Sequence, residues 1–537
     1  MDTLAVFDFI VVGSGPSGVQ SAQTLLEAGC SVLMLDVGVE ESKGALPKNS
    51  FLDIRKNNND QYKIWLGENF EGLPLHEIKT GAQLTPSRSF VHKLVDNLTP
   101  LHSKNFLPSE SLAVGGLGAA WGLGSFAYSD LELKACGLPG KEMNEAYQKI
   151  ADRIGIAAAD NNISKYATTG LKNLLPPIDV DCNAKQLLIS YQRKKQKLES
   201  NGFHLGKPSL ALLTKNKGER KANAYNNLDF YDNEDDSVYR PKVTLKILKQ
   251  YPKFKYINNI LVTSFTEDQN VKVETLDIKT KSLHSFFSKK LILACNVLGT
   301  ARIVLRSFNL YNLNLPILCN DYCYVPSILW KRLGKETDKN CTATAQLFLL
   351  HDPHQSNFDV AIASLYSYSS LMMFRIAEQA PVSFRDARKL FKELMPAIVI
   401  AGIHMPDTLS NGKTIKLVKS ADSFTGDVLE VDYQLSAEEQ QAFAKRRFLF
   451  TKTLKQLGCL PLKKILPGSG SSIHYAGTLP YLNNSGQLYL LANGRLNNTK
   501  NVFVADGSGF SYLPAKGITL SLMANAHRTA LNALQDE

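Results

Sequence analysis

The sequence is poor in cysteine and has no long apolar run. Its 537 residues include only eight cysteines, which are scattered along the chain, so we expect no disulfide framework. Cys319 and Cys323 are the one close pair, and no cluster of cysteine and histidine with zinc spacing accompanies them, so no metal site is predicted. No apolar stretch approaches the roughly 20 residues that a membrane span needs. Cysteine usage favours reduced thiols in a cytoplasmic protein.

The N-terminus also lacks the basic segment that opens a secretory signal, so we expect no cleaved leader. The 44% hydrophobic and 21% charged content is ordinary for a globular protein and argues against a disordered chain. The length suggests about two domains, or one large composite domain. Lys and Arg number 61 against 50 Asp and Glu, a net charge of +11. This charge is compatible with nucleic acid, an anionic membrane surface or a negatively charged small substrate.

The first 36 residues follow the order strand, glycine-rich turn, helix, strand and acidic residue. Phe7–Val12 is an apolar run typical of a buried parallel strand, and the motif Gly-Ser-Gly-Pro-Ser-Gly follows at positions 13–18. Val19–Ala28 has helical spacing, and a second apolar run ends at Asp36. This pattern predicts one βαβ unit with the dinucleotide-binding fingerprint. The motif alone does not distinguish NAD from FAD.

Each residue type in this unit suits contact with a dinucleotide. Gly13 permits the tight turn, Gly15 lets a pyrophosphate approach the backbone, and Gly18 allows close packing of helix on strand. Ser17 lies in the same turn, next to a helix N-terminus whose free N–H groups and positive dipole end favour phosphates. Asp36 offers a carboxylate to the hydroxyls of an adenosine ribose. We therefore expect these five residues to contact the cofactor.

Two later segments are also rich in glycine. Val114–Gly124 contains five glycines and no charged residue, which predicts bare backbone against a flat or bulky group. Near the C-terminus, Asn501–Ala505 is another short buried strand, followed by glycines and by a helix from about Thr519 to Leu534. This second strand–turn–helix unit predicts that a returning segment completes the dinucleotide-binding domain.

Four sequence blocks together resemble the glucose–methanol–choline (GMC) family of FAD-dependent oxidoreductases. They are GSGPSG at 13–18 with Asp36, GGLGAAWG at 115–122, LILACNVLGTARIVLRS at 291–307, and IHYAGTLP at 473–480 with the C-terminal NVFVADGSGF and ITLSLMANA. Their order suits the family across nearly the whole chain, whereas 40–110 and 311–460 match only in general character.

The resemblance implies an α/β fold, in which a Rossmann-like FAD-binding domain built from separated segments carries a substrate domain of antiparallel sheet. The first part of the FAD-binding domain would span 1–310, with insertions at about 40–110 and 150–240. The substrate-binding domain would span 311–470. Residues 471–537 would hold the active-site strand and the return to the FAD-binding domain.

The resemblance also implies further cofactor contacts. The segment with Gly115, Gly116, Ala120, Trp121 and Gly122 would run beside the pyrophosphate and the isoalloxazine ring, and Val262 would meet the adenine. Asp506 and Gly507 would lie where the pyrophosphate joins the ribityl chain. The helix that begins near Thr519, with Gly517 and Ile518 before it, would direct its N-terminus at the flavin pyrimidine and stabilise negative charge there.

His474 aligns with the active-site histidine of the family, in the pattern H-x-x-G-T. Its implied role is to take the hydroxyl proton of an alcohol while hydride passes to flavin N5, and the ordinary pKa of histidine suits a general base. The family's second catalytic histidine or asparagine falls at Gly517 or Ile518, neither of which has a side chain that donates a hydrogen bond. Lys516 is one residue earlier and is the candidate for a cation in the site.

These features predict an FAD-dependent oxidoreductase that acts on CH–OH groups. The charge and the polar middle of the chain favour a sugar or glycan-type hydroxyl, as in a bacterial carbohydrate-acting member of the family. An FAD-binding protein with weak or no alcohol-oxidising activity is the alternative, because of Gly517. The electron acceptor is not predicted; a peripheral contact with a membrane surface is compatible with the charge. Nucleic-acid binding is not expected, since the basic clusters carry no recognised motif.

Overall fold

The computed structural model describes residues 6–40, 50–66, 68, 86–229, 235–367, 382–481 and 486–536. In chain order, its strands are β1 (Val6–Val12), β2 (Val32–Leu35), β3 (Leu101–His102), β4 (Phe203–Gly206), β5 (Phe254–Ile257), β6 (Ile260–Glu267), β7 (Val271–Asp277), β8 (Leu283–Leu293), β9 (Leu315–Pro316), β10 (Leu318–Cys319), β11 (Tyr322–Leu329), β12 (Leu347–His351), β13 (Ala361–Ser367), β14 (Ile398–His404), β15 (Asp407–Thr408), β16 (Lys413–Lys419), β17 (Asp427–Tyr433), β18 (Cys459–Pro461), β19 (Tyr475–Ala476), β20 (Val502–Val504) and β21 (Tyr512–Leu513).

The α-helices of the same residues are α1 (Pro16–Glu27), α2 (Phe51–Asn57), α3 (Gln61–Leu66), α4 (Val95–Leu98), α5 (Asp130–Cys136), α6 (Gly140–Ile154), α7 (Ser164–Ala167), α8 (Cys182–Ser200), α9 (Pro241–Leu248), α10 (Asn296–Ser307), α11 (Phe384–Leu394), α12 (Ala437–Gln456) and α13 (Thr519–Gln535). None of these helices is long and apolar enough to cross a lipid bilayer.

The first sheet has the strand order β5-β2-β1-β8-β7-β6, and β20 pairs with β8 outside this path. Strands β1, β2, β5, β8 and β20 pair in parallel, whereas β6 and β7 form an antiparallel extension on β8. The buried, nearly continuous apolar runs of β1 and β2 fit a sheet that is covered on both faces. The βαβ unit predicted at the N-terminus is therefore present, and β20 brings the C-terminal segment back to the same sheet.

Helices α1 and α13 pack against each other over this sheet, although about 500 residues separate them in sequence. The Ser21 hydroxyl donates to the Ala526 carbonyl at 3.2 Å, and Thr24 Oγ1 lies 2.6 Å from His527 Nδ1. This contact places the N-termini of both helices at the same edge of the sheet, where the carboxyl ends of β1, β2, β8 and β20 also lie. In open α/β sheets ligands bind at this edge.

The second sheet is antiparallel, with strand order β18-β11-β14-β13-β12-β4. Alternate residues of a strand face the same side, and on the side toward the first sheet the register aligns two rows. One row is Tyr322, His404 and Ile362; the other is Tyr324, Gly402, Ser364 and Phe348. The chain thus combines parallel and antiparallel sheets, and the predicted fold class is confirmed. The domain boundaries given above stay a prediction.

Candidate active site

A cavity of about 310 Å³ lies between the two sheets and contains most of the residues that the sequence singles out. One end is formed by the glycine turn after β1 and by Asp36; the other is formed by the second sheet and His474. The predicted site residues that line it are Gly13, Gly15, Ser17, Asp36, Gly116, Ala120, Trp121, Gly122, Val262, His474, Asp506, Gly507, Gly517, Ile518 and Thr519. Gly18, Gly115 and Lys516 do not line it.

Gly13 and Gly18 shape the turn between β1 and α1. Gly13 has a φ of +95°, and a Cβ on Gly18 would lie 1.9 Å from the Gly13 carbonyl oxygen. Gly18 therefore permits the close packing that the motif predicts, without itself reaching the cavity. Gly15 is the N-cap of α1 and no side chain caps this helix, so its first N–H groups stay available to a ligand.

Gly115 supports the turn from behind the cavity wall. Its N–H donates to the Ser14 hydroxyl at 2.9 Å, and that hydroxyl in turn donates to Asp36. A contact between Gly115 and the cofactor is thus not supported by the cavity lining; the residue connects the second glycine-rich segment to the first.

Asp36 stands at the carboxyl end of β2, where a ribose would lie. Its Oδ2 accepts hydrogen bonds from the Ser14 hydroxyl and from the Tyr256 hydroxyl, the latter at 3.2 Å. Burial raises the pKa of Asp36 to about 6, and these hydrogen bonds oppose part of that rise. A sugar diol is a suitable further donor, because each added hydrogen bond stabilises the buried carboxylate.

At the end of β20, Asp506 and the start of α13 form the next part of the wall. The Asp506 carboxylate accepts from the Thr300 hydroxyl at 2.6 Å and from the Ser508 hydroxyl at 2.6 Å. Burial raises the pKa of Asp506. Helix α13 begins after Ile518 with no side-chain cap, and Gly517, Ile518 and Thr519 all line the cavity. A second helix N-terminus therefore offers its positive end to a ligand.

His474 has one ring nitrogen fixed by Asn320. His474 Nδ1 lies 3.1 Å from Asn320 Oδ1, while the Asn320 Nδ2 donates to the carbonyls of Met405 and Pro514 at 2.8 and 3.2 Å. The two carbonyls assign the amide nitrogen, so the oxygen faces the ring and His474 Nδ1 carries the proton. The lone pair is then on Nε2. Burial lowers the pKa of His474 to about 4, so the ring is neutral at pH 7.

His404, at the end of β14, lies beside His474 and also lines the cavity. The two imidazole rings are stacked, with centroids 5.1 Å apart and an interplanar angle of 22°. Tyr322 stacks on the other side of His404 at 4.2 Å, because a glycine at position 402 leaves room for its ring. No sequence motif surrounds His404, and only the register of the second sheet places it in the site.

The segment before α13 places neither a histidine or asparagine nor the Lys516 ammonium at the position expected for a second catalytic residue. Gly517 lines the cavity, but a Cβ on it would approach the Gly124 carbonyl oxygen to 2.9 Å, so the backbone allows no side chain there without a shift. The Lys516 ammonium donates to Glu132 at 2.6 Å and to Asn357 Oδ1 at 2.7 Å, and neither Lys516 nor Glu132 is exposed. This geometry does not support Lys516 as a cation of the active site.

The wall around the two histidines is aromatic and uncharged. Within the part of the chain that the structure describes, none of the lining residues from the second sheet, from 118–126 or from 471–475 is charged; the aromatic ones are Trp121, Phe126, Tyr322, Tyr324, Phe348, Tyr366, His404, His474 and Tyr475. Burial raises the pKa of Tyr366 to about 12, so its hydroxyl stays protonated.

Two arginines of α10 also line the cavity, on the side of the first sheet, and were not predicted as site residues. Arg302 pairs with Glu110 through hydrogen bonds of 2.6 and 2.9 Å, and Arg306 pairs with Asp427 through hydrogen bonds of 2.8 and 2.7 Å. Each arginine is thus largely neutralised by a carboxylate. The block at 291–307 that carries the family resemblance contains both, which is the signal that could have identified them.

The sequence matches no family model, and no curated protein matches it significantly. In structure the chain is similar to pyridoxine 4-oxidase from Mesorbium loti, with a TM-score of 0.61 at 14% sequence identity. The similarity covers 99% of this chain and 100% of that one. At this level of identity, similarity of structure shows a shared fold and does not by itself assign an activity. The chain therefore shares the overall fold of that enzyme.

Proposed function

We propose that the protein is an FAD-dependent oxidoreductase that oxidises CH–OH groups. The observation that carries this proposal is that one cavity joins two uncapped helix N-termini to a neutral histidine with an unprotonated Nε2. The first of these features suits a dinucleotide, and the second suits proton abstraction from an alcohol.

The residues present fit FAD. The turn at Gly13 and Gly15 leaves backbone N–H groups of α1 open to a pyrophosphate, and Asp36 would hold the adenosine ribose. Near the second sheet, the N-terminus of α13 would stabilise negative charge on the flavin. When bound, FAD supplies a two-electron acceptor for hydride.

The side chains of the protein carry out the proton transfer. His474 Nε2 accepts the hydroxyl proton, and Asn320 keeps Nδ1 protonated so that Nε2 remains the basic atom. The low pKa of His474 keeps its ring unprotonated at neutral pH. A substrate that packs on the aromatic wall would displace water, which would strengthen each hydrogen bond made there.

The aromatic wall also limits which classes of substrate fit the cavity. A neutral alcohol carrying a flat ring or a sugar face can stack on aromatic side chains, whereas a phosphate would need a cation. Among the described residues that line the cavity from the second sheet, from 118–126 and from 471–475, none is a cation, and the two lining arginines are paired with carboxylates. Oxidation of a sugar hydroxyl thus stays a prediction, restricted to uncharged sugars. We propose aromatic alcohols as a second class of substrate.

Anaerobic reduction of the bound flavin tests this function. We expect the purified protein to be yellow with stoichiometric FAD, and to bleach with at least one member of a panel of free sugars, nucleotide sugars, sterols and aromatic alcohols. His474→Ala should slow bleaching by about 10²- to 10⁴-fold, the usual contribution of a general base. The rate should hardly change between pH 8 and pH 6, because His474 stays neutral there.

His351→Asn is the matched control. His351 is a buried histidine at the end of β12 with a pKa lowered to about 4, yet it does not line the cavity. This variant should bleach at the wild-type rate. Tight FAD binding without bleaching by any alcohol would instead favour the alternative, a flavin-binding protein without this activity.

A further inference from the structure

We propose that His404 is a second catalytic residue, whose imidazole N–H holds the oxygen of the alcohol while His474 takes its proton. This inference rests on the proposed function. It assigns to a residue of β14 the hydrogen-bond donation for which the segment after Asp506 has no suitable side chain.

The sheet register fixes the position of His404. It is the last residue of β14 and lies directly opposite Tyr322 on β11 and Ile362 on β13. Neighbours on both sides hold the ring between Tyr322 and His474, at centroid distances of 4.2 and 5.1 Å. A ring held in this way keeps its nitrogens in a fixed position relative to His474, as a catalytic pair requires.

The ring nitrogens of His404 are available to a ligand. In the described residues no side chain or backbone group forms a hydrogen bond with them, although the ring lines the cavity. Burial, together with the neighbouring His474, holds the pKa of His404 well below its usual range. The imidazole is therefore neutral and has one N–H donor and one acceptor.

The two candidates that the sequence gives for this role do not fit it. Gly517 has no side chain and no space for one, and the Lys516 ammonium is engaged with Glu132 away from the cavity. His404 is the one described residue that both touches His474 by ring stacking and lines the cavity with a side chain able to donate a hydrogen bond.

The reaction balances with this assignment. The O–H bond of the alcohol breaks and its proton passes to His474 Nε2, while the C–H bond breaks and its hydride passes to FAD, the oxidant of the proposed function. A C=O bond forms, giving an aldehyde or ketone. His404 keeps its proton throughout, and its hydrogen bond strengthens as negative charge develops on the oxygen.

Two substitutions separate the hydrogen bond from the packing. His404→Phe keeps a flat ring between Tyr322 and His474 but has no N–H group, and His404→Asn restores a donor without the ring. With the alcohol that reduces the wild type fastest, we expect His404→Phe to lower the rate of flavin reduction about 100- to 1000-fold. His404→Asn should recover part of this loss, and His351→Asn should show none. FAD content and near-UV circular dichroism establish that each variant is folded.

A spectroscopic readout does not depend on turnover. In holoenzyme with ¹⁵N-labelled histidine, we expect one neutral imidazole signal, absent from His404→Phe, whose protonated nitrogen shifts when the aldehyde or ketone product of that alcohol is added. Flavin reduction in His404→Phe within threefold of the wild type, or an unshifted His404 signal, would overturn the assignment while leaving the proposed function intact. Failure of every alcohol to reduce the wild type would overturn both.

Discussion

Asn320 determines which nitrogen of His474 can act as a base. Its amide nitrogen is occupied by two backbone carbonyls, so only the oxygen can face the ring. That oxygen accepts the Nδ1 proton and leaves Nε2 as the basic atom. The H-x-x-G-T pattern that begins at position 474 singles out the histidine, but nothing in the sequence near position 320 indicates its partner.

Substitution of Asn320 should therefore affect catalysis more than cofactor binding. Asn320→Leu has a similar volume but no acceptor, so both tautomers of His474 become accessible and the rate of flavin reduction should fall about 10- to 100-fold. Stopped-flow bleaching with the best alcohol measures this rate, and the FAD content should stay that of the wild type. A wild-type rate in a folded Asn320→Leu variant would contradict the assigned tautomer.

At the scale of elements, a buried ion pair connects α5 to the segment before α13. Lys516 and Glu132 are both fully buried, and Glu132 also caps α5 by accepting from the Ser129 N–H at 2.8 Å. Burial lowers the pKa of Lys516 and raises that of Glu132, while the mutual attraction of the pair opposes both changes. The pair thus helps to position the N-terminus of α13.

Breaking this pair on one side should be costly. Lys516→Met leaves the Glu132 carboxylate buried without its cation, and the free energy of unfolding should fall by about 3–5 kcal/mol. The double variant Lys516→Met/Glu132→Gln removes both charges and should recover most of this loss in urea denaturation. Its flavin should be reduced at a rate close to that of the wild type; a loss of 100-fold or more in the folded double variant would support the catalytic role that the sequence suggests for Lys516.

Predictability differs between the two sheets for a physical reason. The βαβ unit is local: its strands, turn and helix follow each other within 36 residues, and each has a distinct residue pattern. The second sheet pairs β11 with β14 and β12 with β4, which are far apart in sequence. The family resemblance implies an antiparallel sheet here, but the register of its strands, and with it the position of His404, depends on long-range pairing that no local pattern encodes.

At the scale of the whole molecule, buried histidines make folding sensitive to acid. Burial lowers the pKa of His351 to about 4, below the value of about 6.5 in an unfolded chain. The unfolded chain therefore takes up a proton between pH 6.5 and pH 4 that the folded chain does not. The stability that depends on a neutral His351 is fully present above pH 6.5 and is lost as the pH falls toward 4.

Comparison with His351→Asn isolates this effect from other titrating groups. Asparagine does not titrate, so between pH 6.5 and pH 4.5 the wild type should lose about 2 kcal/mol more of its free energy of unfolding than the variant does. Chemical denaturation at several pH values measures both curves. Parallel curves would show that His351 has an ordinary pKa in the folded protein.

The structure assigns no ligand to the net charge of +11. The arginines that line the cavity are paired with carboxylates, and the wall near His474 is uncharged, so the charge does not identify an anionic substrate. A contact with a membrane surface, the electron acceptor and a cytoplasmic location stay predictions.

The sequence by itself determined the N-terminal βαβ unit and the fold class, and it singled out His474, because each depends on residue types at short, fixed spacing. Only the tertiary structure decided which groups meet around His474. Asn320 and Tyr322 lie in one segment and His404 in another, and strand pairing brings both segments to His474. Lys516 is instead bound by Glu132 outside the cavity. Their roles depend on distances between segments remote in sequence, which a local pattern does not contain.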